Sequence, residues 1–366
     1  MLYAKRRTQN EERETQNVKR NVTGVFAPRR YEGRSGVAIR KIKLLLPIVI
    51  LLTVFSGCAE KQQQAPVSET RILLDTFCTI TIYGPHDRQL FDDAFSLCEK
   101  YEALLSKSAE GSDIWRINHA GGSPVMVAAE TIEVISSGLA FGGLSDGMFD
   151  ITVGRLTTLW DFSGDPGVPT ITELADALVT VGYGNVIVSG DTVRLADPDT
   201  WLDLGAIAKG YIADRMADFL RERGVTGAVV DLGGDVAAVG GKPDGSPWMI
   251  GVRQPFGGQN DLLGVVETAE AAIVTSGTYE RQFTENNVLY HHILDPYNGM
   301  PVVSDVVGAT VLAKRAMVGD ALSTVALLVG SGNAEDLLAG VPGFIGALLV
   351  LDNGDLLQLG SIDFHN

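Results

Sequence analysis

The run Thr275-Ser276-Gly277-Thr278-Tyr279-Glu280-Arg281, then His291-His292-Ile293-Leu294-Asp295-Pro296, then Asp320-Ala321-Leu322-Ser323-Thr324, sets the reading of this chain. A turn-rich polar block holds two of the five histidines and gives way to a segment that is apolar at Leu322, Val325 and Val329. That is helical spacing, and it predicts a helix after Gly319. Asp320 and Thr324 then share one helix face, about one turn apart. Two hard oxygens so placed can hold Mg²⁺ and leave positions for waters and substrate phosphates. The plainer reading of the same pair is an Asp that caps a helix start and a Thr bonded to its own turn.

Outward from this block, strands and helices interleave. Ile72 to Tyr83 alternates like a strand, and Leu90, Ala94, Leu97, Cys98, Tyr101 and Leu104 mark a helix. A second helix is expected over about Ala128 to Leu144, and Thr170 with Glu173 is a capping-box signature for a short third one. Val186–Val188 and Val193–Leu195 read as a hairpin around Gly190-Asp191. A short strand from Leu202 runs into Gly205 and a helix with Ile212, Met216, Phe219 and Leu220 inward. Further strands are expected at Ala228–Leu232, Trp248–Val252, Leu263–Val266, Ala309–Leu312 and Ala347–Leu351. No regular βαβ count emerges, so the expected class is α+β.

The 366 residues are 45% hydrophobic and 20% charged, the composition of a globular protein. The net charge of −16 hides an asymmetry: residues 1–58 hold 12 Lys/Arg and 4 Asp/Glu, leaving 17 basic and 41 acidic residues, a net of −24. An acidic body lacks the basic footprint of a nucleic-acid binder. It must also hold any anionic ligand by backbone amides, a local cation or a metal. Arg40-Lys41-Ile42-Lys43, the apolar run Leu44 to Phe55 and Ser56-Gly57-Cys58 read as an export signal. The apolar run is short for a bilayer span. Small residues before Cys58 resemble a bacterial lipobox, with cleavage and lipidation at Cys58, although Phe55 departs from that pattern. The expected organisation is residues 1–58 as extension and lipoprotein signal, 59–70 as polar tether and 71–366 as one domain outside the cytoplasm. Cys78 and Cys98 are then either buried thiols or a disulfide.

Three other constellations could carry chemistry. In Asp203-Leu204-Gly205-Ala206-Ile207-Ala208-Lys209-Gly210 a strand ends, glycine permits a turn, and a helix begins with unpaired amides and a cation in its first turn. Many strand–helix turns look like this. Gly147-Met148-Phe149-Asp150 precedes Leu159-Trp160, where Trp160 reads as core ahead of a flavin-stacking role. In Asp231-Leu232-Gly233-Gly234-Asp235, paired glycines after a strand allow backbone to approach a flat or phosphorylated ligand closely. Adjacent histidines on an extended segment face opposite ways, so only one of His291 and His292 can enter a shared site. No His/Cys/carboxylate set has zinc-ligand spacing.

Together these blocks, in this order over roughly Ile72 to Gly330, resemble the ApbE family of flavin transferases, which take FAD and attach FMN to a threonine of a partner protein. The resemblance implies an α+β, ApbE-like, T-fold-related single domain. It implies Mg²⁺ held by Asp320, Thr324 and the Ala206 carbonyl, with Ser323 contributing. It further implies FAD contacts from Leu74, Met148, Phe149, Asp150, Asp203, Lys209, Gly233, Gly234 and Leu294. His292 becomes the inward histidine, acting as base or as phosphate stabiliser, and Asp295-Pro296-x-x-Gly299 the turn that fixes it. The implied reaction releases AMP, with acceptors among flavin subunits of membrane-bound, ion-translocating electron-transfer complexes. Two departures stand out. Ser108 occupies the place of a tyrosine that many members carry over the flavin, and Leu74-Asp75-Thr76 replaces Met-Gly-Thr. Rival readings are a Mg²⁺-dependent FAD pyrophosphatase and a flavin-binding lipoprotein without catalysis.

Overall fold

A computed structural model describes residues 65–258 and 260–366. Cys58, the export segment and tether residues 59–64 lie outside the described residues. Chain order begins β1 Val67–Leu73, β2 Thr76–Ile82, α1 Gln89–Leu105, α2 Asp113–Asn118, β3 Val125–Met126 and α3 Ala129–Leu144. It continues α4 Gly154–Trp160, α5 Ile171–Leu178, β4 Val186–Ser189, β5 Thr192–Leu195, α6 Ala208–Glu222, β6 Gly227–Leu232 and β7 Asp235–Gly240. The next strands are β8 Trp248–Arg253, β9 Leu262–Thr268, β10 Ala272–Gly277, β11 Gln282–Glu285, β12 Val288–His291 and β13 Val306–Ala313. The last elements are α7 Ala316–Val329, α8 Ser331–Ala339, β14 Phe344–Leu351, β15 Leu356–Gly360 and β16 Asp363–His365. The fold is α+β.

Its frame is an eight-stranded antiparallel sheet in the order β1-β2-β6-β7-β10-β13-β14-β15. Strand alternation sorts its side chains onto two faces. Ile80, Val230, Val239, Val274, Val311 and Leu349 join α1, α6, α7 and α8 in the main core. Val236, Ile273, Leu312 and Leu348 point the other way and meet Val252 and Val266 of the small sheet β16-β9-β8. A third cluster gathers Leu156, Trp160, Leu174 and Leu294 beside the β11–β12 hairpin, and the Trp160 indole donates to the Gly299 carbonyl (2.8 Å). Trp160 is therefore a core residue.

Several expectations are corrected. The run from Ile72 is a hairpin, because Leu74 and Asp75 both take positive φ (55° and 56°), the two-residue turn that matches strand twist. Strand β1 begins at Val67, inside the segment read as tether. No strand forms at Leu202. The Asn118 side chain takes both of its backbone groups, accepting from the Leu202 amide (2.7 Å) and donating to its carbonyl (3.0 Å). Helix α7 starts at Ala316, not after Gly319. The capping box at Thr170 and Glu173 is present as read.

Candidate active site

The site is built where the N-terminal turns of α6 and α7 cross. Each helix caps the other. Asp214 of α6 accepts from the α7 amides of Ala316 (2.8 Å) and Met317 (3.0 Å). Asp320 of α7 accepts, through Oδ2, from the α6 amide of Gly210 (2.9 Å). Carboxylates at helix N-termini satisfy orphan amides and complement the dipole. Asp320 is thus buried in the second turn of its own helix and serves α6 instead. Only glycine fits at 210, since a Cβ there would lie 2.4 Å from the Ala316 carbonyl oxygen and 2.7 Å from Asp320 Cβ.

The Gly210 amide being engaged, the start of α6 is less open to an anion than the sequence suggests. The Ala208 amide likewise donates to the Leu204 carbonyl (2.8 Å). The charge that matters is Lys209. Its ammonium sits 2.8 Å from Asp235 Oδ1 and 3.8 Å from Asp320 Oδ1. Burial works against this cation, but the two carboxylates more than offset that and raise its pKa. Asp235, the first residue of β7, is 1% exposed, and its Oδ2 is buried without a hydrogen-bond partner. Burial, and then the charge of Asp320, push its pKa well up. One turn beyond Asp320 lies Thr324, also buried. Ser323 points into the helix–sheet seam, bonded to the Ser276 hydroxyl (2.7 Å) and the Asp320 carbonyl (2.9 Å).

A second ion pair flanks the turn before α6. Asp203 accepts from Lys107 (2.7 Å) and Thr157 (2.7 Å) through Oδ2 and from the Gly205 amide (2.8 Å) through Oδ1. Burial opposes its charge, yet Lys107 prevails and lowers its pKa. Ala206 follows directly in this turn. Gly233 and Gly234 form the β6–β7 turn with φ of +68° and +101°. A Cβ on Gly233 would come within 2.4 Å of the Thr76 hydroxyl, so the β1–β2 hairpin closes on this turn.

His292 follows β12, its amide bonded to the Arg281 carbonyl (3.1 Å). Its Nδ1 is buried with no partner, and burial, with Arg281 and His291 adding to it, lowers its pKa to about 4. The charge of Lys209 adds a last, smaller part to that lowering. The Asp295 turn holds the segment: its carboxylate accepts from the Tyr297 amide (2.8 Å) and the Asn298 side chain (2.6 Å). Leu294 lies in the third core cluster with Trp160.

Other sequence candidates carry structural duties. Phe149 is core. Asp150 accepts from the Thr152 amide (2.8 Å) and hydroxyl (2.6 Å) and from the Tyr183 amide (2.8 Å). Met148 packs partly buried against the core. Leu74, in its positive-φ turn, donates its amide to Glu102 (3.2 Å). Ser108 is exposed and bonds only locally to Ser106.

The structure therefore brings Lys209, Asp320 and Thr324 together and joins Asp235 to them, with His292 nearby. Asp235 and Lys107 escaped the sequence reading although both lie within or beside its motifs. Asp214 and Arg281 gave no local signal. The donors at Asp320, Thr324 and Asp235 are all hard oxygens, and an unpartnered buried carboxylate oxygen suits a divalent cation such as Mg²⁺. Away from this site, the β9–β16 pairing gathers Glu267, Asp363 and His365 on the surface, where the imidazole lies 3.6 and 3.1 Å from the two carboxylates.

Residues 74–349 match the sequence model of the ApbE family. The chain belongs to the ApbE family. A FAD:protein FMN transferase of Klebsiella pneumoniae is 36% identical over 270 residues, 72% of this chain and 82% of its own length. The ApbE protein of Thermotoga maritima superposes with a TM-score of 0.74 at 32% identity, covering 81% of this chain and 97% of that one. The flavin transferase ApbE of Vibrio cholerae gives 0.72 at 28% identity, with 81% and 97% covered. The ApbE-like fold expected from the motifs is the one observed.

Proposed function

We propose that this chain is a FAD:protein FMN transferase that uses Mg²⁺ and attaches FMN to a threonine hydroxyl of a partner protein, releasing AMP. The observation that carries this reading is the half-buried Lys209 set against buried Asp320, with buried Thr324 one turn on and a neutral His292 whose pKa Lys209 helps to lower. Asp320, Thr324 and the Ala206 carbonyl would hold the metal, which when bound neutralises charge developing on the pyrophosphate. Lys209 adds a fixed cation at the same place. Near neutral pH His292 is unprotonated, so it can take the proton of the attacking hydroxyl as the oxygen–phosphorus bond forms and AMP departs. The glycine turn at Gly233-Gly234 and the turn at Asp203 offer backbone to the flavin nucleotide.

The test is the full chain in detergent with FAD, Mg²⁺ and an acceptor domain bearing the target threonine. Covalent flavin fluorescence on a denaturing gel, matched by AMP and lost in His292→Ala and Asp320→Ala, is the expected result. AMP with free FMN only would make the chain a pyrophosphatase. Bound FAD without AMP would leave a binding lipoprotein. As part of the same proposal, a lipid on Cys58 tethers the body outside the cytoplasm, near acceptor flavin subunits of membrane electron-transfer complexes. Loss of membrane association in Cys58→Ser checks the anchor.

A further inference from the structure

We infer that Asp235 is a further ligand of the divalent-cation centre, supplying its Oδ2 beside Asp320. The inference rests on the reading above that a cation sits at Asp320 and Thr324. Asp235 begins β7, directly after the Gly233-Gly234 turn, and its side chain points to the helix-covered face of the sheet as Ala237 and Val239 do. There one oxygen meets Lys209 at 2.8 Å. The other is buried with no donor in reach. Asp320 flanks the same ammonium, its Oδ1 3.8 Å from Lys209.

A lysine partner alone does not account for this arrangement. Lys209 needs one oxygen of Asp235, and a carboxylate doing no more would turn its second oxygen to water or to an amide. Leaving a buried acceptor unpaired costs about 1–3 kcal/mol, and more for a charged one. Two carboxylates also share that single ammonium, and burial with the charge of Asp320 pushes the pKa of Asp235 well up, so without a cation the crowding favours a proton there. A divalent cation removes both costs, since it takes the unpaired oxygen in place of that proton. Nitrogen and sulfur donors are missing from the cluster, so the cation is a hard one, Mg²⁺ or Mn²⁺.

The test measures metal binding without FAD or turnover, by Mn²⁺ titration of the full chain in detergent followed by electron paramagnetic resonance. Asp235→Asn keeps the shape and an acceptor for Lys209 but removes the charge, and it should weaken Mn²⁺ binding by about tenfold or more. Asp235→Cys should prefer thiophilic Cd²⁺ and show a thiolate-to-metal charge-transfer band, with the parent chain as control for buried Cys78 and Cys98. Unchanged Mn²⁺ affinity in Asp235→Asn, or no Cd²⁺ band in Asp235→Cys, would overturn the inference and leave Asp235 as a partner of Lys209 only. Should the asparagine variant not fold, the cysteine variant decides alone. A parent chain that binds no Mn²⁺ would instead remove the centre itself, and this inference with it.

Discussion

Replacing Gly210 by alanine sets two opposite expectations against each other. In an ordinary helix the exchange stabilises by about 1 kcal/mol, because glycine loses more backbone entropy on folding. Here the added Cβ would stand 2.4 Å from the Ala316 carbonyl oxygen and 2.6 Å from its carbon, both backbone atoms. Relieving that contact means moving α7 away from α6 by about 1 Å, since ordinary contacts begin near 3.4 Å. Overpacking of this kind costs about 1–3 kcal/mol. Straining the amide–carboxylate bond from Gly210 to Asp320 puts a further ~1.5–3 kcal/mol at risk. Less the propensity gain, the net is a destabilisation of about 1.5–5 kcal/mol. For a body of this size each kcal/mol moves the melting point by ~2–4 °C, so a drop of roughly 3–20 °C is expected. Calorimetry reads it directly. Gly143→Ala is the control, because Gly143 lies on α3 with open space around it and should gain up to about 1 kcal/mol. If Gly210→Ala stabilised the chain as Gly143→Ala does, the close crossing of α6 and α7 would be refuted, and with it the placement of Asp320.

Two further outcomes are expected. Because His292 is held neutral down to about pH 4, the acid limb of kcat/KM should fall near 4 and not near 6.5. Because the folded-state pKa is depressed, the His292 contribution to stability is full above the unfolded value near 6.5 and is lost as pH falls toward 4. An activity inflection near 6.5 that vanished in His292→Gln would contradict the buried, neutral imidazole. Asp150→Asn should cost about 1–3 kcal/mol in denaturant unfolding, because asparagine keeps one acceptor oxygen and its NH2 cannot accept, so either the Thr152 or the Tyr183 amide loses its partner. An unchanged midpoint would mean that Asp150 does not clasp that loop.

What was legible in the sequence was what neighbours in the chain determine. The periodic helices α1 and α3, the capping box at Thr170, the β4–β5 hairpin and the one-turn spacing of Asp320 and Thr324 all rest on residues a few positions apart. The failures share one cause. Helix α7 begins before its local sequence signals it because its first amides are capped by Asp214, about a hundred residues earlier, while its own N-cap position holds Arg315, which caps nothing. Leu202 looked like a strand because its apolar neighbours alternate, but the Asn118 side chain supplies the partner groups that a neighbouring strand would have given. Lys107 was hidden among serines and shows its role only when folding carries it to Asp203. The β1–β2 turn was missed because Leu74 and Asp75 are not the glycine or asparagine that positive φ usually calls for.

The acidic balance of the chain returns as a local problem at the site. Residues beyond Cys58 carry a net charge of −24, yet charges farther away than about 10 Å are largely screened at ordinary ionic strength. What a pyrophosphate would feel is the cluster itself. Lys209 is the nearest cation, but its ammonium is already divided between Asp235 and Asp320, so it has little charge left to offer an anion. Two carboxylates crowd that one ammonium, and burial with the charge of Asp320 pushes the pKa of Asp235 well up. On the proposed reading a divalent cation would take the place of that proton and draw the carboxylates away from Lys209, which then has charge to offer a phosphate. The cation requirement of the proposed reaction is thereby tied to a pair of aspartates around one lysine.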